Sequence, residues 1–291
     1  TQICPRTFSK KFLSDNSVWK YVFTSFINKK FSVRHVNRTG FNYSLMFNDF
    51  NSTFANENTG ISEKISDTRN NSGLINFYSQ SKIKLLKDLE VNCGFNFQYF
   101  TLNDKYLIEP RTGISWNINR NNRLSMGFGM HSQIQPLNVY FIEKEENGIK
   151  YYPNKNLGYT RSNHFVLGYD HKFSSNLLFK VEPFLQFLSD VPVIDDSSFS
   201  VINLTDLNTF NEVLVNNGKG RNIGVDFTVE RFFDEGYYFL LTLSVFDSRY
   251  KGGDGVERNT RFNKNYVGNV LGGKEFKINK TPNPRTKWGY K

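Results

Sequence analysis

The sequence predicts an all-β protein, an antiparallel transmembrane β-barrel, and three observations support this fold class. Apolar and polar side chains alternate with a period of two along most of the chain, as in strands that have one apolar and one polar face. The predicted strands run to about 10–15 residues, longer than the roughly 5–6 residues common in soluble sheets. Tight turns alternate with long loops, so that turns lie at one end of the sheet and loops at the other, which is typical of outer-membrane barrels.

Composition excludes several other classes of protein. The chain of 291 residues contains 29 Phe and 15 Tyr, too many aromatic residues for a disordered chain. No apolar run approaches the roughly 18–20 residues of a transmembrane helix, and no helical pattern interrupts the strands, which excludes helical membrane proteins and βαβ folds. The net charge of +10 is dispersed rather than gathered in one segment, so nucleic acid is not an expected partner. Cys4 and Cys93 belong to no disulfide framework or metal motif.

The first part of the chain predicts one hairpin and a long loop. Residues 1–15 are polar and irregular, and a first strand follows at 18–27. A turn at Asn28–Lys30 leads to a return strand at 31–48, where a change of parity near Asn37, Thr39 and Gly40 predicts a bulge. The Asn-rich stretch 49–72 is predicted to be a loop.

The middle of the chain predicts two further hairpins. Strands begin at Gly73, turn at residues 86–88 and return through 91–99, and a compact loop at 102–106 follows. The stretch 109–135 shows the pattern most clearly: Ile114, Trp116, Leu124, Met126, Phe128 and Met130 alternate with polar residues and glycines around the turn at 119–122.

The last part of the chain repeats this arrangement. Its predicted strands, in order, lie at 165–173, 177–186, 222–230, 237–245 and 260–276, and its predicted long loops at 136–159 and 189–219. A Gly-rich loop at 251–258 precedes the last strand, and the tail 277–291 resembles a turn followed by the start of another strand. The total is about eleven strands, an odd number, whereas single-chain bacterial barrels have even numbers.

Alternation alone does not say which face meets lipid, but two features favour an apolar face toward lipid and a polar face toward a lumen. The polar face is dense in Gly, Asn, Gln and charged residues, and aromatic residues cluster near strand ends, where an interfacial girdle lies. The residues expected to contact lipid are Phe95, Phe97, Met126, Phe128, Val225 and Phe227. Those expected to face the lumen are Asn96, Gln98, Gly127, Asp226 and Glu230.

Five segments carry a resemblance to a known family: EPRTGISW, LSMGFGMHSQIQPL, NLGYTRSNHFVLGYD, VNNGKGRNIGVDFTVERFF and GYYFLLTLSVFDSRYKGGDG. In this order they resemble the C-terminal barrel part of TonB-dependent outer-membrane receptors of the type with a carboxypeptidase-regulatory-like domain before the plug. The resemblance covers about residues 73–276. It implies a portion of a 22-stranded barrel in the outer membrane, filled by a plug domain that couples to the TonB energy-transducing complex.

The sequence predicts no catalytic residues, no metal site and no cofactor. It contains no zinc-protease, nucleophile-elbow, phosphate-loop or dinucleotide motif, and Gly127–Met130 is interpreted as small residues on a crowded lumen face. Asp190, Asp195 and Asp196 have no calcium-loop spacing and are interpreted as a solvated loop. The predicted binding residues are His131, Gln133 and Gln135, which end a strand on the long-loop side, and Arg111, which faces the lumen by parity. The alternative is that His131 bonds only to the plug or water and that Arg111 only pairs with a carboxylate.

These observations lead to a function hypothesis with two alternatives. The first is TonB-dependent active uptake of a scarce nutrient such as an iron chelate, cobalamin or glycan. The alternatives are an outer-membrane barrel hydrolase and a soluble all-β binding protein. The expected partners are outer-membrane lipid, a small-molecule or oligosaccharide ligand, and the TonB complex acting through a plug that residues 1–291 do not include.

About eleven strands would leave two unpaired edges, whose backbone groups cost a few kcal/mol each in hydrocarbon. The sequence therefore predicts that residues 1–291 form part of one barrel domain and do not insert as a closed pore alone. A closed dimer that pairs the edges of two copies is the alternative.

Overall fold

The structure, a computed structural model, describes residues 10–56, 62–204 and 211–276. Nearly all of them lie in β-strands, with one helical turn, α1 (Leu137–Tyr140), and one 3₁₀ turn, Val201–Asn203. The strands in these ranges are β1 (Lys10–Ser32), β2 (His35–Asn56), β3 (Ser62–Lys84), β4 (Leu89–Phe100), β5 (Lys105–Asn117), β6 (Asn122–Gln133), β7 (Lys144–Glu146), β8 (Ile149–Tyr151), β9 (Thr160–Lys172), β10 (Leu177–Val193), β11 (Val215–Asp234), β12 (Tyr237–Lys251), β13 (Glu257–Asn259) and β14 (Tyr266–Lys274).

One antiparallel sheet contains all the strands except β7 and β8, which form a separate small hairpin. Each strand of this sheet up to β12 pairs with the strands before and after it in the chain, and β6 pairs with β9 because β7 and β8 lie outside the sheet. Strands β13 and β14 pair with successive parts of the same edge of β12, so they occupy one position. The sheet is therefore about eleven strands wide, and the predicted all-β fold and strand count are confirmed.

The two faces of the sheet separate as the alternation predicts. The rings of Phe128 and Phe165, paired across β6 and β9, pack with centroids 4.8 Å apart on the apolar face. Met126 on the same face is 52% exposed, and the neighbouring Gly127 faces the other way. Hydrogen-bonded amides and hydroxyls, such as Asn222 with Gln186, occupy the polar face. The period-two pattern thus places one apolar and one polar surface on opposite sides.

The first hairpin turns later than predicted. The turn lies at Val33–Arg34, not at Asn28–Lys30, because the long pairing of β1 with β2, such as Tyr21 with Leu45, sets where the chain reverses. The bulge predicted near Asn37–Gly40 is also wrong, because β2 pairs regularly there. The glycine at position 40 is explained by packing and not by a bulge, because a Cβ atom there would lie 2.4 Å from the ring of Tyr78.

The predicted loop 49–72 is mostly strand, and the predicted loop 189–219 is strand at both of its ends. Within the stretch 49–72, β2 continues to Asn56 and β3 begins at Ser62, and within 189–219, β10 continues to Val193 and β11 begins at Val215. The prediction failed because Asn and Ser have low strand propensity, whereas the backbone pairing with neighbouring strands is what stabilises these extensions.

The chain ends differ from the predictions as well. Strand β1 begins at Lys10, within the stretch 1–15 that was predicted to be irregular. The last predicted strand, 260–276, is shorter and begins at Tyr266. The predicted tail 277–291 lies outside the described residues.

The buried core lies on the polar face at the loop end, where the β6–β9 connection (residues 134–159) folds over β2–β5. Tyr140 and Phe141 in this connection are 0% and 1% exposed. Their rings pack against Phe100 and Phe50, with centroids 5.3 Å and 6.0 Å apart. We call residues 134–159 the infolded loop.

Hydrogen bonds join the infolded loop to the sheet and to its neighbouring loop. Ser66 Oγ donates to the carbonyl of Phe141 over 3.0 Å. Asn154 is fully buried, and its Oδ1 atom accepts from the backbone N–H of Leu214 over 2.8 Å.

Within the described ranges, no helix is long and apolar enough to cross a membrane.

Candidate functional site

A belt of polar side chains crosses the polar face near the loop end, from β4 to the segment after β13. The strands bring these side chains together because residues of one parity share a face and neighbouring strands hold them at similar heights. We call this set the polar belt. Its members are Asn96, Gln98, Glu109, Arg111, His131, Ser132, Ser162, His164, Gln186, Asn222, Ser248 and Thr260.

The carboxylate of Glu109 is the centre of the first half of the belt, and its side chain is 0% exposed. Its Oε1 atom accepts from Gln98 Nε2 at 2.7 Å and Ser132 Oγ at 2.6 Å. Its Oε2 atom accepts from Asn96 Nδ2 at 3.0 Å and Arg111 Nη2 at 2.6 Å. Four donors thus offset the cost of burying the charge.

Pro110 lies where the pairing of β5 with β6 ends. Proline has no N–H group, and the pairing of these strands ends at Arg111 with Gly129. Beyond that point strict alternation no longer holds. Met130 packs against the buried core although alternation placed it on the apolar face. Ser132, of the same parity, donates to Glu109.

Two histidines join the halves of the belt. The rings of His131 and His164 meet edge to face with centroids 5.3 Å apart. Gln186 Nε2 lies 2.7 Å from His164 Nε2 and 2.9 Å from Ser162 Oγ, and Gln186 Oε1 accepts from Asn222 over 2.6 Å. The ring nitrogens of His131 make no hydrogen bond to the part of the chain that the structure describes, so they are free to contact a ligand.

The second half of the belt borders a mixed groove of about 430 Å³. Ser248 donates to Asn222, and Thr260 donates to Ser248 over 2.8 Å. The aromatic rings of Phe184, Phe246 and Phe262 line the groove beside these groups. Amides next to aromatic rings can bind a molecule that has both apolar and hydrogen-bonding surface.

Of the four residues predicted to bind ligand, His131, Gln133 and Gln135 lie at the loop end and Arg111 lies near the middle of β5, and they differ in availability. Arg111 pairs with Glu109 and also lines a groove of about 520 Å³ on the turn side of the belt. His131 and Gln133 are exposed. Gln135 is buried, and its backbone N–H and its Nε2 atom donate to Tyr140 Oη and Thr160 Oγ1, both over 3.0 Å. Gln135 therefore anchors the infolded loop.

Sequence reasoning did not include Glu109, His164 and Gln186 in the site, and it assigned Gln98 only to the lumen face. Each stands at a polar position of an alternating strand, which is a detectable signal. Their convergence depends on the register between strands, which local alternation does not contain. The interpretation of Gly127–Met130 as crowded is wrong at Gly127, where a Cβ atom would have no neighbour within 4 Å, and correct at Gly129, where it would lie 2.8 Å from His131 Nε2.

The infolded loop contains buried ionisable groups outside the strands. Burial raises the pKa of Tyr140 to about 12. Burial also raises the pKa of Tyr159, whose hydroxyl has no hydrogen-bond partner in the described part of the chain. The carboxylate of Glu143 accepts from Lys150 at 2.5 Å and raises the pKa of that lysine. The infolded loop thus buries two neutral phenols and contains one internal ion pair.

Acidic residues near the loops show no metal centre. Asp190 pairs with Arg161 at 3.0 Å. In residues 10–56, 62–204 and 211–276 no group of three or more His, Cys, Asp or Glu side chains is placed to hold a metal ion.

Comparison with protein-family models matches residues 6–288 to the family described as TonB dependent receptor-like, beta-barrel. A search of curated protein sequences finds no match to this chain.

Solved structures share the fold at low sequence identity. The ferric yersiniabactin uptake receptor FyuA from Yersinia pestis matches with a TM-score of 0.66 at 11% identity, over 92% of this chain and 41% of FyuA. The FrpB iron transporter from Neisseria meningitidis matches with a TM-score of 0.59 at 12% identity, over 89% and 41%. The RagAB peptide importer matches with a TM-score of 0.53 at 10% identity, over 83% and 30%. The chain therefore spans less than half the length of these structures.

Proposed function

Because the chain belongs to the TonB-dependent receptor-like β-barrel family, we propose that it forms part of the wall of an outer-membrane receptor for the active uptake of a scarce nutrient. In this arrangement the apolar face contacts outer-membrane lipid and the polar face lines the lumen. The long loops lie outside the cell and the tight turns lie in the periplasm. A plug domain within the lumen would couple the receptor to the TonB complex.

The observation that carries this proposal is that the sheet exposes its apolar face and has the polar belt on its opposite face. A soluble β-protein buries its apolar face, whereas here Met126, Leu167 and Leu243 on that face are 52%, 50% and 43% exposed. The hydrogen-bonded side chains lie on the opposite face, where a lumen would be. This distribution favours a membrane barrel over a soluble all-β binding protein.

We place the cargo contact at the loop end of the polar belt, with His131 and Gln133 as exposed donors and acceptors. Arg111 reaches the same region from a partly exposed position and adds a positive charge. Gln135 contributes indirectly by fixing the infolded loop above them. An iron chelate, cobalamin or a glycan would offer the oxygen atoms that such groups bind.

The barrel-hydrolase alternative has less support. A serine hydrolase needs a serine, a histidine and a group that orients the histidine. His35 Nε2 lies 3.1 Å from Ser81 Oγ, but within the described ranges no carboxylate bonds to His35. This pair also lies at the turn end, away from the loops where that hypothesis placed its site.

Growth under single-nutrient limitation tests the proposal. A deletion strain should grow poorly when one nutrient class, an iron chelate, cobalamin or an oligosaccharide, is limiting, and the wild-type gene should restore growth only in a strain with a working TonB system. The double variant His131→Ala/Gln133→Ala should lower uptake at limiting nutrient by about fivefold to 150-fold, because each lost hydrogen bond weakens binding by roughly 0.5–1.5 kcal/mol.

His171→Ala is the matched control, because this histidine lies on β9 at the turn end, far along the strand from the polar belt. It should leave uptake unchanged. Restoration of growth that does not depend on TonB, or recovery of the protein in the soluble fraction without detergent, would overturn the proposal. Equal loss of uptake in the two variants would reject the assigned cargo contact.

A further inference from the structure

Four basic residues lie together on the apolar face at the loop end of β11 and β12. Across these strands Lys219 pairs with Lys251 and Arg221 with Arg249. The next residue of the same parity on β11 is Ile223, 37% exposed, which begins the apolar surface. The four cations therefore continue the apolar face beyond its apolar part. We call them the outer basic patch.

The charges within the outer basic patch are incompletely balanced. Glu257 accepts from Arg221 at 2.9 Å and from Arg249 at 3.3 Å, and Asp247 pairs with Arg249 at 2.8 Å. In the described residues no carboxylate pairs with Lys219 or Lys251, so four cations face two acids. Like charges directly opposite each other in a sheet destabilise it. An anionic partner would remove this repulsion.

The shape of the patch also fits a partner. A groove of about 240 Å³ lies between the basic side chains and Phe187, which is 43% exposed on the apolar face. The Nε atom of Arg221 is buried and has no hydrogen-bond acceptor in the described residues. The patch thus has a donor without an acceptor and two unpaired lysines at one end and an apolar surface at the other.

The membrane orientation of the barrel identifies the partner. Beyond the apolar band, at the loop end, the outer surface lies level with the headgroups of the outer leaflet. We propose that the outer basic patch binds the phosphate of a phosphorylated lipid in that leaflet, whose acyl chains lie along the apolar face below Phe187. Guanidinium and ammonium groups bind phosphate oxygens strongly, and phosphate would balance the two unpaired lysines. The inference depends on the orientation of the barrel and not on its cargo.

Binding of a short-chain lipid to the receptor tests this inference. The receptor is extracted from its own outer membrane, stripped of lipid in a neutral detergent, and titrated with dihexanoyl phosphatidic acid. The double variant Lys219→Gln/Lys251→Gln should bind it about 25-fold more weakly, since each lysine near an anionic lipid contributes about fivefold. Lys87→Gln/Lys172→Gln removes the same charge from exposed lysines at the turn end and should bind as the wild type does.

The other outcomes are equally decisive. Equal weakening in both double variants would show that net charge rather than the patch attracts the lipid, and would overturn the proposal. Equal affinity of the wild type for inorganic phosphate would show an anion site without lipid recognition. Native mass spectrometry of the receptor before lipid removal should show a retained phosphorylated lipid that is lost only from Lys219→Gln/Lys251→Gln. Unchanged nutrient uptake in that variant would leave the transport function intact and separate the two proposals.

Discussion

Replacing Glu109 with Gln removes the buried charge on which the first half of the polar belt converges. The Glu109 side chain is 0% exposed and accepts from four donors, one of them a guanidinium. A glutamine keeps one acceptor oxygen and turns its NH₂ group toward two of these donors, so two hydrogen bonds are lost and the others lose the negative charge of the carboxylate. A hydrogen bond to a charged group is worth about 1.5–3 kcal/mol, and with two of them lost we expect Glu109→Gln to lower the free energy of unfolding by about 3–5 kcal/mol.

The matched control is Glu90→Gln. Glu90 lies on β4, the strand next to β5, and it is also on the polar face. Glu90 pairs with Lys82, but the side chains are 26% and 52% exposed, so water screens the pair and its loss should cost less than about 1 kcal/mol. The carboxylates differ mainly in burial and in the number of donors.

Urea unfolding of outer-membrane preparations, followed by the loss of the compact, heat-modifiable band on gels, measures the difference. With a denaturant dependence of about 3 kcal/mol per molar urea, the midpoint for Glu109→Gln should fall by more than about 1 M, and that for Glu90→Gln by about 0.3 M or less. Equal midpoints for the two variants would refute the claim that the buried cluster stabilises the barrel.

Two further predictions concern the faces of the sheet and the infolded loop. Met126→Arg puts a charge on the apolar face and should destabilise the folded barrel in membranes by about 2–4 kcal/mol, whereas Gly127→Arg, on the polar face with open space around its Cβ position, should cost much less; comparable losses in the same urea assay would contradict the assigned orientation. Because the pKa of Tyr140 is raised to about 12 when folded, the folded loop favours the neutral phenol; this stability is complete below the unfolded pKa of about 10 and is lost as pH rises from about 10 to 12. Protease cleavage within residues 134–159 should therefore increase across that range, and Tyr140→Phe should reduce the pH dependence; an unchanged dependence would show that another group controls the loop.

The comparison of sequence and structure separates local from long-range information. The apolar and polar faces around Met126 and Gly127 were predictable because side chains on a strand alternate whatever the strand pairs with. The compact loop at residues 101–104 and the tight turns at 85–88 and 118–121 were predictable because turn residues act locally. The family was indicated by ordered segments of sequence, and the match over residues 6–288 confirmed it.

The tertiary structure alone decided what depends on pairing between distant residues. The turn at Val33–Arg34 and the extension of β2 to Asn56 follow from backbone hydrogen bonds along whole strands, which composition does not record. The cluster around Glu109 requires the register of β4, β5 and β6 together, and a shift of one residue would turn its members to the opposite face. The infolded loop is the clearest case, since Tyr140 is buried by residues from β4 that lie about 40 positions earlier in the chain, and no local pattern encodes that contact.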